Sequence, residues 1–93
     1  MATRGRYSVT YTSQAEKSLA KMDPRQRSII LAWIDGRLEG CADPRRWGKG
    51  LQGEKSQEWS YRIGKYRILA DIVDDQVVIE VFKIGLRDKV YKH

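Results

Sequence analysis

The C-terminal half of the chain alternates between apolar and polar residues, and this alternation restricts the fold more than any other feature. It predicts three β-strands over about residues 58–63, 66–73 and 76–84. Only two residues separate neighbouring strands, Gly64-Lys65 in the first connection and Asp74-Asp75 in the second. Connections this short join antiparallel strands, so this half of the chain predicts an antiparallel sheet.

The chain begins with a pattern typical of a strand followed by a helix. Residues 7–11 alternate at a period of two and are rich in residues that favour strands. Ser13 and Glu16 then form a capping-box pattern, in which each side chain satisfies a free backbone N–H group at a helix start. We therefore expect a first helix over about residues 13–21.

A second helix follows directly. Asp23 suits a helix cap and Pro24 suits the first helical position, while Gly40 ends the helical pattern. Residues 42–57 are rich in glycine and basic side chains and predict a long loop. The order β-α-α-β-β-β predicts a single α+β domain over residues 1–93, in which two N-terminal helices pack on one face of a small, mainly antiparallel four-stranded sheet.

Composition limits the classes of partner and cofactor. Lys and Arg number 18 against 12 Asp and Glu, and the net charge of +6 predicts attraction to a polyanion: nucleic acid, an anionic membrane surface or an acidic protein. One cysteine and one histidine give no metal-binding pattern, so we expect no metal and no cofactor. With no signal peptide and no apolar run near the roughly 20 residues that span a bilayer, we expect a cytoplasmic protein without a membrane partner.

Two arginines flank the turn of the first hairpin. Alternation along the strands puts Arg62 and Arg67 close together on the sheet face opposite the helices. Like charges at neighbouring positions are destabilising unless an anion lies between them, and phosphate is the natural anion for guanidinium groups. Two alternatives remain at this point: Arg62 forms an ion pair with Asp71 or Glu80, or it simply faces water.

Arg87 and Tyr91 follow the last strand and reach the same edge of the sheet. Arginine side chains bind phosphates, and aromatic rings stack on unpaired bases. With the hairpin arginines, these two residues predict a site for RNA.

Three motifs have a family resemblance. The hairpin reads W-x-Y-R-x-G-x-Y-R (residues 59–67), K-x-L-x-G precedes it (49–53), and I-G-x-R (84–87) closes the chain before a terminal V-Y. With the β-α-α-β-β-β order, they resemble the RelE/ParE superfamily of bacterial toxins over nearly the whole chain, and the RelE branch in particular.

The resemblance implies an activity and a set of partners. RelE-like toxins of type II toxin–antitoxin systems enter the ribosomal A site and cleave mRNA, with the 2′-hydroxyl attacking the adjacent phosphate. The implied partners are a RelB-like antitoxin with an acidic segment, the 70S ribosome and mRNA, with operator DNA bound only through the antitoxin. Two other functions stay open: a ParE-like toxin that inhibits DNA gyrase without cleaving RNA, and a non-toxic nucleic-acid-binding domain.

The resemblance also implies roles for four residues. Arg67 matches the arginine that binds the scissile phosphate. Arg87 matches the arginine that stabilises that phosphate or protonates the leaving oxygen. Tyr91 matches the tyrosine that stacks on a base, and Arg62 stands where some relatives carry lysine.

The remaining positions depart from the family pattern. Ser60 stands where a second catalytic lysine can occur, and Leu86 replaces a common histidine. Arg62 cannot take over as the general base, because arginine does not readily deprotonate, so no general base is evident. His93 could transfer a proton, or could be an ordinary chain-end residue. General phosphate contacts or contacts to ribosomal RNA are expected from three RNA-binding lysines: Lys49, Lys55 and Lys65.

Overall fold

Two helices lie on one face of a five-stranded sheet. The computed structural model describes residues 6–53 and 56–86. In chain order its elements are β1 (Ser8–Tyr11), α1 (Ser13–Lys21), α2 (Pro24–Arg37), β2 (Lys49–Gly50), β3 (Glu58–Ile63), β4 (Tyr66–Val73) and β5 (Val78–Leu86). The α+β class predicted from the sequence is confirmed.

The sheet has one more strand than the sequence predicted. Its order is β1-β5-β4-β3-β2, with β1 parallel to β5 and the other pairs antiparallel. The additional strand is β2, two residues long, within the segment predicted as a loop. Pattern reasoning missed it because two residues carry no periodicity. None of the described helices has the length and apolar composition needed to cross a bilayer.

Both helices begin with a side-chain cap. In α1 the cap is Thr12 rather than the predicted Ser13, because Thr12 keeps an extended backbone and its hydroxyl accepts from the N–H of Ala15 at 3.2 Å. In α2 the predicted cap is confirmed, with the Asp23 carboxylate accepting from two backbone N–H groups and Pro24 at the first helical position.

The hydrophobic core lies between the helices and one sheet face. The strand residues in it are Trp59, Tyr61, Ile63, Ile68, Ala70, Ile72, Ile79, Val81 and Ile84. The helices contribute Ala15, Leu19, Ile30 and Ile34, and Leu38 follows α2. The charged residues of β3 and β4 are therefore left on the other face, which we call the free face.

The connection between β4 and β5 differs from the predicted two-residue turn. Asp74–Gln76 form a 3-10 turn, and Val77 follows in the left-handed region with φ 56°. Since Val73 pairs with Val78, β5 starts two residues later than predicted and extends to Leu86.

Candidate active site

Arg62 and Arg67 are direct cross-strand partners next to the β3–β4 turn. The register pairs them one step before Ile63 and Tyr66, which close the hairpin. Gly64 has φ 59°, and glycine at the first central position is what a type II′ hairpin turn requires. Residues opposite each other in an antiparallel pair have Cβ atoms about 4.5–5.5 Å apart. The hairpin thus holds two positive charges side by side on the free face.

A cleft of about 300 Å³ lies beside this pair. Its lining is Gly48, Lys49, Ser60, Arg62 and Arg67. Lys49 reaches the cleft because β2 pairs with β3 in a register that sets Lys49 opposite Ser60. The cleft therefore joins three cationic side chains with a buried serine, which is 4% exposed.

The guanidinium of Arg67 is incompletely paired. Its Nη1 atom is buried and makes no hydrogen bond within the part of the chain that the structure describes. A buried donor without a partner costs about 1–3 kcal/mol, and more for a charged group. An anion in the cleft would be attracted to this guanidinium and would also relieve the repulsion between Arg62 and Arg67.

The alternative ion pairs for Arg62 are absent among the described residues. Asp71 lies four positions along β4 from Arg67, a distance of about 13 Å at the rise of a strand. Glu80 pairs with Asp71 and lies equally far from the hairpin turn. In the described ranges, the one salt bridge found joins Arg45 to Asp74. Arg62 is exposed, so the predicted ion pair with Asp71 or Glu80 is wrong, and among the described residues its side chain faces water.

The loop before β2 approaches β3 closely because of Gly48. This residue has φ 71°, and a Cβ atom there would collide with the backbone carbonyl of Ser60. Glycine is therefore required for two reasons, the left-handed backbone and the close contact. This contact brings Lys49 beside the two arginines.

Two hydrogen bonds from β3 fix the same loop from the helix side. The indole N–H of Trp59 donates to the Trp47 carbonyl at 2.6 Å, and the Tyr61 hydroxyl donates to the Pro44 carbonyl at 2.7 Å. Burial raises the pKa of Tyr61 well above its ordinary value, so the hydroxyl keeps its proton and remains a donor.

A polar cluster that the sequence did not predict ties this loop to the β4–β5 turn. Arg45 donates to both carboxylate oxygens of Asp74, at 3.0 and 3.1 Å, and to the Ser56 carbonyl at 3.2 Å. The Tyr7 hydroxyl donates to the same carboxylate at 2.7 Å. Hydrogen bonds from Arg45 and then Tyr7 lower the pKa of Asp74, while burial and that carboxylate raise the pKa of Tyr7 to about 12.

Lys83 is a fourth cation on the free face, and the sequence pattern concealed it. The β4–β5 register shifts between Leu69 and Ala70: Leu69 pairs with Lys83 but Ala70 pairs with Val81, which leaves Phe82 as an extra residue, a β-bulge. Counting in twos from the buried Val81 would put Lys83 under the helices. The bulge reverses this and sets Lys83 on the same face as Arg67.

The other predicted site residues are not brought into the cleft by the described part of the chain. Lys65 lies exposed in the β3–β4 turn, next to the arginine pair but outside the cleft lining. Four predicted residues lie outside the described ranges: Lys55, Arg87, Tyr91 and His93. Their roles stay predictions.

Comparisons with known proteins agree on one family. Residues 9–91 match the family described as the ParE toxin of type II toxin–antitoxin systems, parDE. Toxin RelG of Mycobacterium tuberculosis is 30% identical over 86 residues, which cover 92% of this chain and 97% of that protein.

Solved structures show the same fold. The toxin–antitoxin complex RelBE2 of Mycobacterium tuberculosis contains a chain that superposes with a TM-score of 0.76 at 30% identity, covering 90% of this chain and 94% of that one. The isolated RelE toxin of E. coli superposes with a TM-score of 0.68 at 21% identity, covering 91% and 90%.

Proposed function

Because the chain belongs to the RelE/ParE superfamily of toxins from type II toxin–antitoxin systems, we propose that it is a ribosome-dependent endoribonuclease that cleaves mRNA in the A site. The observation that carries the proposal is the buried, unpaired Nη1 of Arg67 in a cleft shared with Arg62 and Lys49. A phosphodiester group is an anion of suitable size and geometry for this set of donors.

The proposed reaction needs little from the protein besides positive charge. The 2′-hydroxyl oxygen attacks the adjacent phosphorus and loses its proton, the bond to the 5′-oxygen breaks, and that oxygen takes a proton as it leaves. The products are a 2′,3′-cyclic phosphate and a 5′-hydroxyl. Negative charge grows on the phosphate oxygens in the transition state, and fixed guanidinium groups there lower the barrier.

In this proposal Arg67 and Arg62 bind the scissile phosphate, and Arg87 stabilises it or protonates the leaving oxygen. Tyr91 stacks on a base of the message. Neither arginine of the hairpin is a practical general base, so proton transfer falls to His93, to the RNA or to the ribosome. The ribosome also contributes by holding the message in a reactive geometry, which is an orientation effect.

The implied partner is an antitoxin with an acidic segment. The relative in the RelBE2 structure was solved as a toxin–antitoxin complex. The net charge of +6 on this chain favours an acidic segment laid over the cationic face. Operator DNA would then be bound through the antitoxin alone.

A second candidate function is inhibition of DNA gyrase without RNA cleavage. The observation in its favour is that the matching family is described as the ParE toxin. The two functions differ in their need for the cleft, because a toxin that only binds gyrase has no scissile phosphate to stabilise.

Induced expression in a bacterium followed by primer extension on an abundant message separates these functions. Cleavage inside codons that disappears when translation initiation is blocked is the expected result, and Arg67→Gln should abolish it. A matched control is Lys17→Gln, which removes a positive charge from the exposed surface of α1. Growth arrest with an intact message, together with inhibition of gyrase supercoiling by the purified protein, would contradict the endoribonuclease proposal.

A further inference from the structure

The cations of the free face are arranged in two adjacent rows across the strands. One row is the Arg62–Arg67 pair, which continues to Gly85 on β5. The next row runs from Lys49 through Ser60 and Leu69 to Lys83. Its two central residues are 4% and 5% exposed, so positive charge stands at both ends of an uncharged floor.

The spacing of this second row matters for the ligand. Lys49 on β2 and Lys83 on β5 are separated by three strand steps of about 4.8 Å, or roughly 14 Å. Lys49 lines the cleft beside Arg62 and Arg67, whereas Lys83, at the β5 end of the row, is not among the residues that line it. Lys83 is partly exposed and forms no salt bridge with any described residue, so its ammonium group is available to a second anion.

A third row gives the cationic region a boundary. Glu58, Asp71 and Glu80 are direct cross-strand neighbours on the free face, one row beyond Lys83. Their negative charge disfavours a polyanion that runs along the strands. A chain of phosphates that crosses the strands stays on the two cationic rows and avoids the carboxylates.

We propose that Lys83 binds a phosphate of the message other than the scissile one, so that the RNA backbone crosses the sheet from β3 towards β5. The proposal rests on the endoribonuclease function proposed above and adds a binding residue and a path for the substrate. The β-bulge at Phe82 is what makes this possible, because it turns Lys83 out of the core side and onto the free face.

Neutral phosphate substitution in the message tests this contact. A set of short ribosome-bound messages is prepared, and each message carries a single methylphosphonate. Its position differs between messages, so that the two phosphates before the cleavage site and the two after it are each replaced once. Each modified linkage follows a nucleotide without its 2′-hydroxyl, because that hydroxyl would attack the neutral phosphonate. A message with the 2′-deoxy change alone is the reference.

At one phosphate, the effects of the methylphosphonate and of Lys83→Gln on the cleavage rate are expected not to combine. There, the methylphosphonate slows cleavage by the wild-type toxin about fivefold to tenfold, the scale of one lost charged contact. Lys83→Gln slows cleavage of the reference message to the same extent, and adding the methylphosphonate at that position slows this variant no further. Lys83→Arg retains sensitivity to the modification, and Lys17→Gln behaves as wild type.

Two outcomes would overturn the proposal, and they are distinguishable. If the wild-type toxin cleaves but the effects of Lys83→Gln and of every methylphosphonate multiply, Lys83 contacts no message phosphate and only this inference fails. If the wild-type toxin leaves the ribosome-bound reference message intact, the endoribonuclease function fails and the inference fails with it.

Discussion

Arg62 and Arg67 face each other directly across the β3–β4 hairpin, and no described residue neutralises either of them. The fold imposes this arrangement, because the two-residue turn at Gly64-Lys65 fixes the register and leaves both side chains on the free face. Repulsion between the two like charges opposes folding, and so does the buried, unpaired Nη1 atom of Arg67 itself. In the proposed function this arrangement is an anion site, and a bound anion is expected to stabilise it.

Replacing Arg67 should separate function from stability. We expect Arg67→Gln to reduce mRNA cleavage on programmed ribosomes by about 100-fold or more, the usual cost of removing a donor to a charged transition state. The same change should leave the free energy of unfolding equal or higher by up to about 1 kcal/mol, since it removes repulsion and a buried unpaired charge. Cleavage kinetics and urea unfolding followed by circular dichroism measure the two effects.

Added phosphate provides the internal control for that variant. The melting temperature of the wild type should rise with phosphate concentration, because an anion that binds only the folded state stabilises it. The melting temperature of Arg67→Gln should rise less with the same addition of phosphate. A loss of folded structure in this variant would show that Arg67 is needed for the fold, and would contradict a purely functional role.

Two glycines offer a matched pair of alanine variants. Gly48→Ala should lower the free energy of unfolding by at least about 1 kcal/mol, because Gly48 has a left-handed backbone and a Cβ atom would meet the Ser60 carbonyl. Gly36→Ala should raise it by up to about 0.5 kcal/mol, because this position is in the last turn of α2 with open space around it, and the preference of a helix for alanine over glycine is smaller there than in the interior. Urea unfolding measures both.

The functional consequences of this pair should also differ. The Gly48 variant should weaken cleavage, because the strain displaces β2 and with it Lys49 from the cleft. The Gly36 variant should cleave normally. Equal stability of the two variants would show that the loop does not approach β3 as closely as described.

The Arg45–Asp74 contact gives stability a dependence on pH. Hydrogen bonds from Arg45 and Tyr7 hold the pKa of Asp74 below its ordinary value of 3.8. The stabilisation from this carboxylate is therefore fully present above pH 3.8 and is lost as the pH falls through the lower folded-state pKa. Asp74→Asn should cost about 0.5–1 kcal/mol at pH 7, the scale of a partly exposed ion pair.

Denaturant unfolding at pH 7 and near pH 3 measures this difference. The difference in the free energy of unfolding between the wild type and Asp74→Asn should be smaller at the lower pH. Asp75→Asn in the same turn is the control, since the Asp75 side chain is exposed and forms no salt bridge with a described residue. If this difference in the free energy of unfolding does not depend on pH, the destabilisation of Asp74→Asn does not come from the lost charge.

Local signals in the sequence were enough for most of the fold. Asp23-Pro24 began a helix and Gly64-Lys65 made a tight hairpin turn as predicted, because both depend on backbone geometry that these residues favour by themselves. The faces of β3 and β4 followed from strict alternation. The position of Arg62 opposite Arg67 could therefore be predicted from the sequence alone.

What escaped prediction depends on contacts between distant residues. The bulge at Phe82 inverts the faces of β5, and nothing in the local sequence marks it, so Lys83 was overlooked. The β4–β5 turn takes a 3-10 form whose Asp74 is held by Arg45 from 29 residues away. The strand β2 exists only because the Gly48 backbone can approach β3.

We expect the hydroxyl of Tyr61 to make the hydrogen bond that contributes most to holding the loop before Lys49 in place. It is buried and donates to the Pro44 carbonyl at 2.7 Å, and Tyr61→Phe leaves that carbonyl without this donor at a cost of about 1–3 kcal/mol. We expect lower stability in urea and faster proteolysis within residues 42–57, with reduced cleavage of mRNA because β2 follows the loop. Tyr66→Phe is the matched control, since the Tyr66 hydroxyl makes no hydrogen bond to a described residue. Equal protease resistance of both variants would mean that the Trp59–Trp47 hydrogen bond and the contacts of Arg45 hold the loop without the Tyr61 hydroxyl.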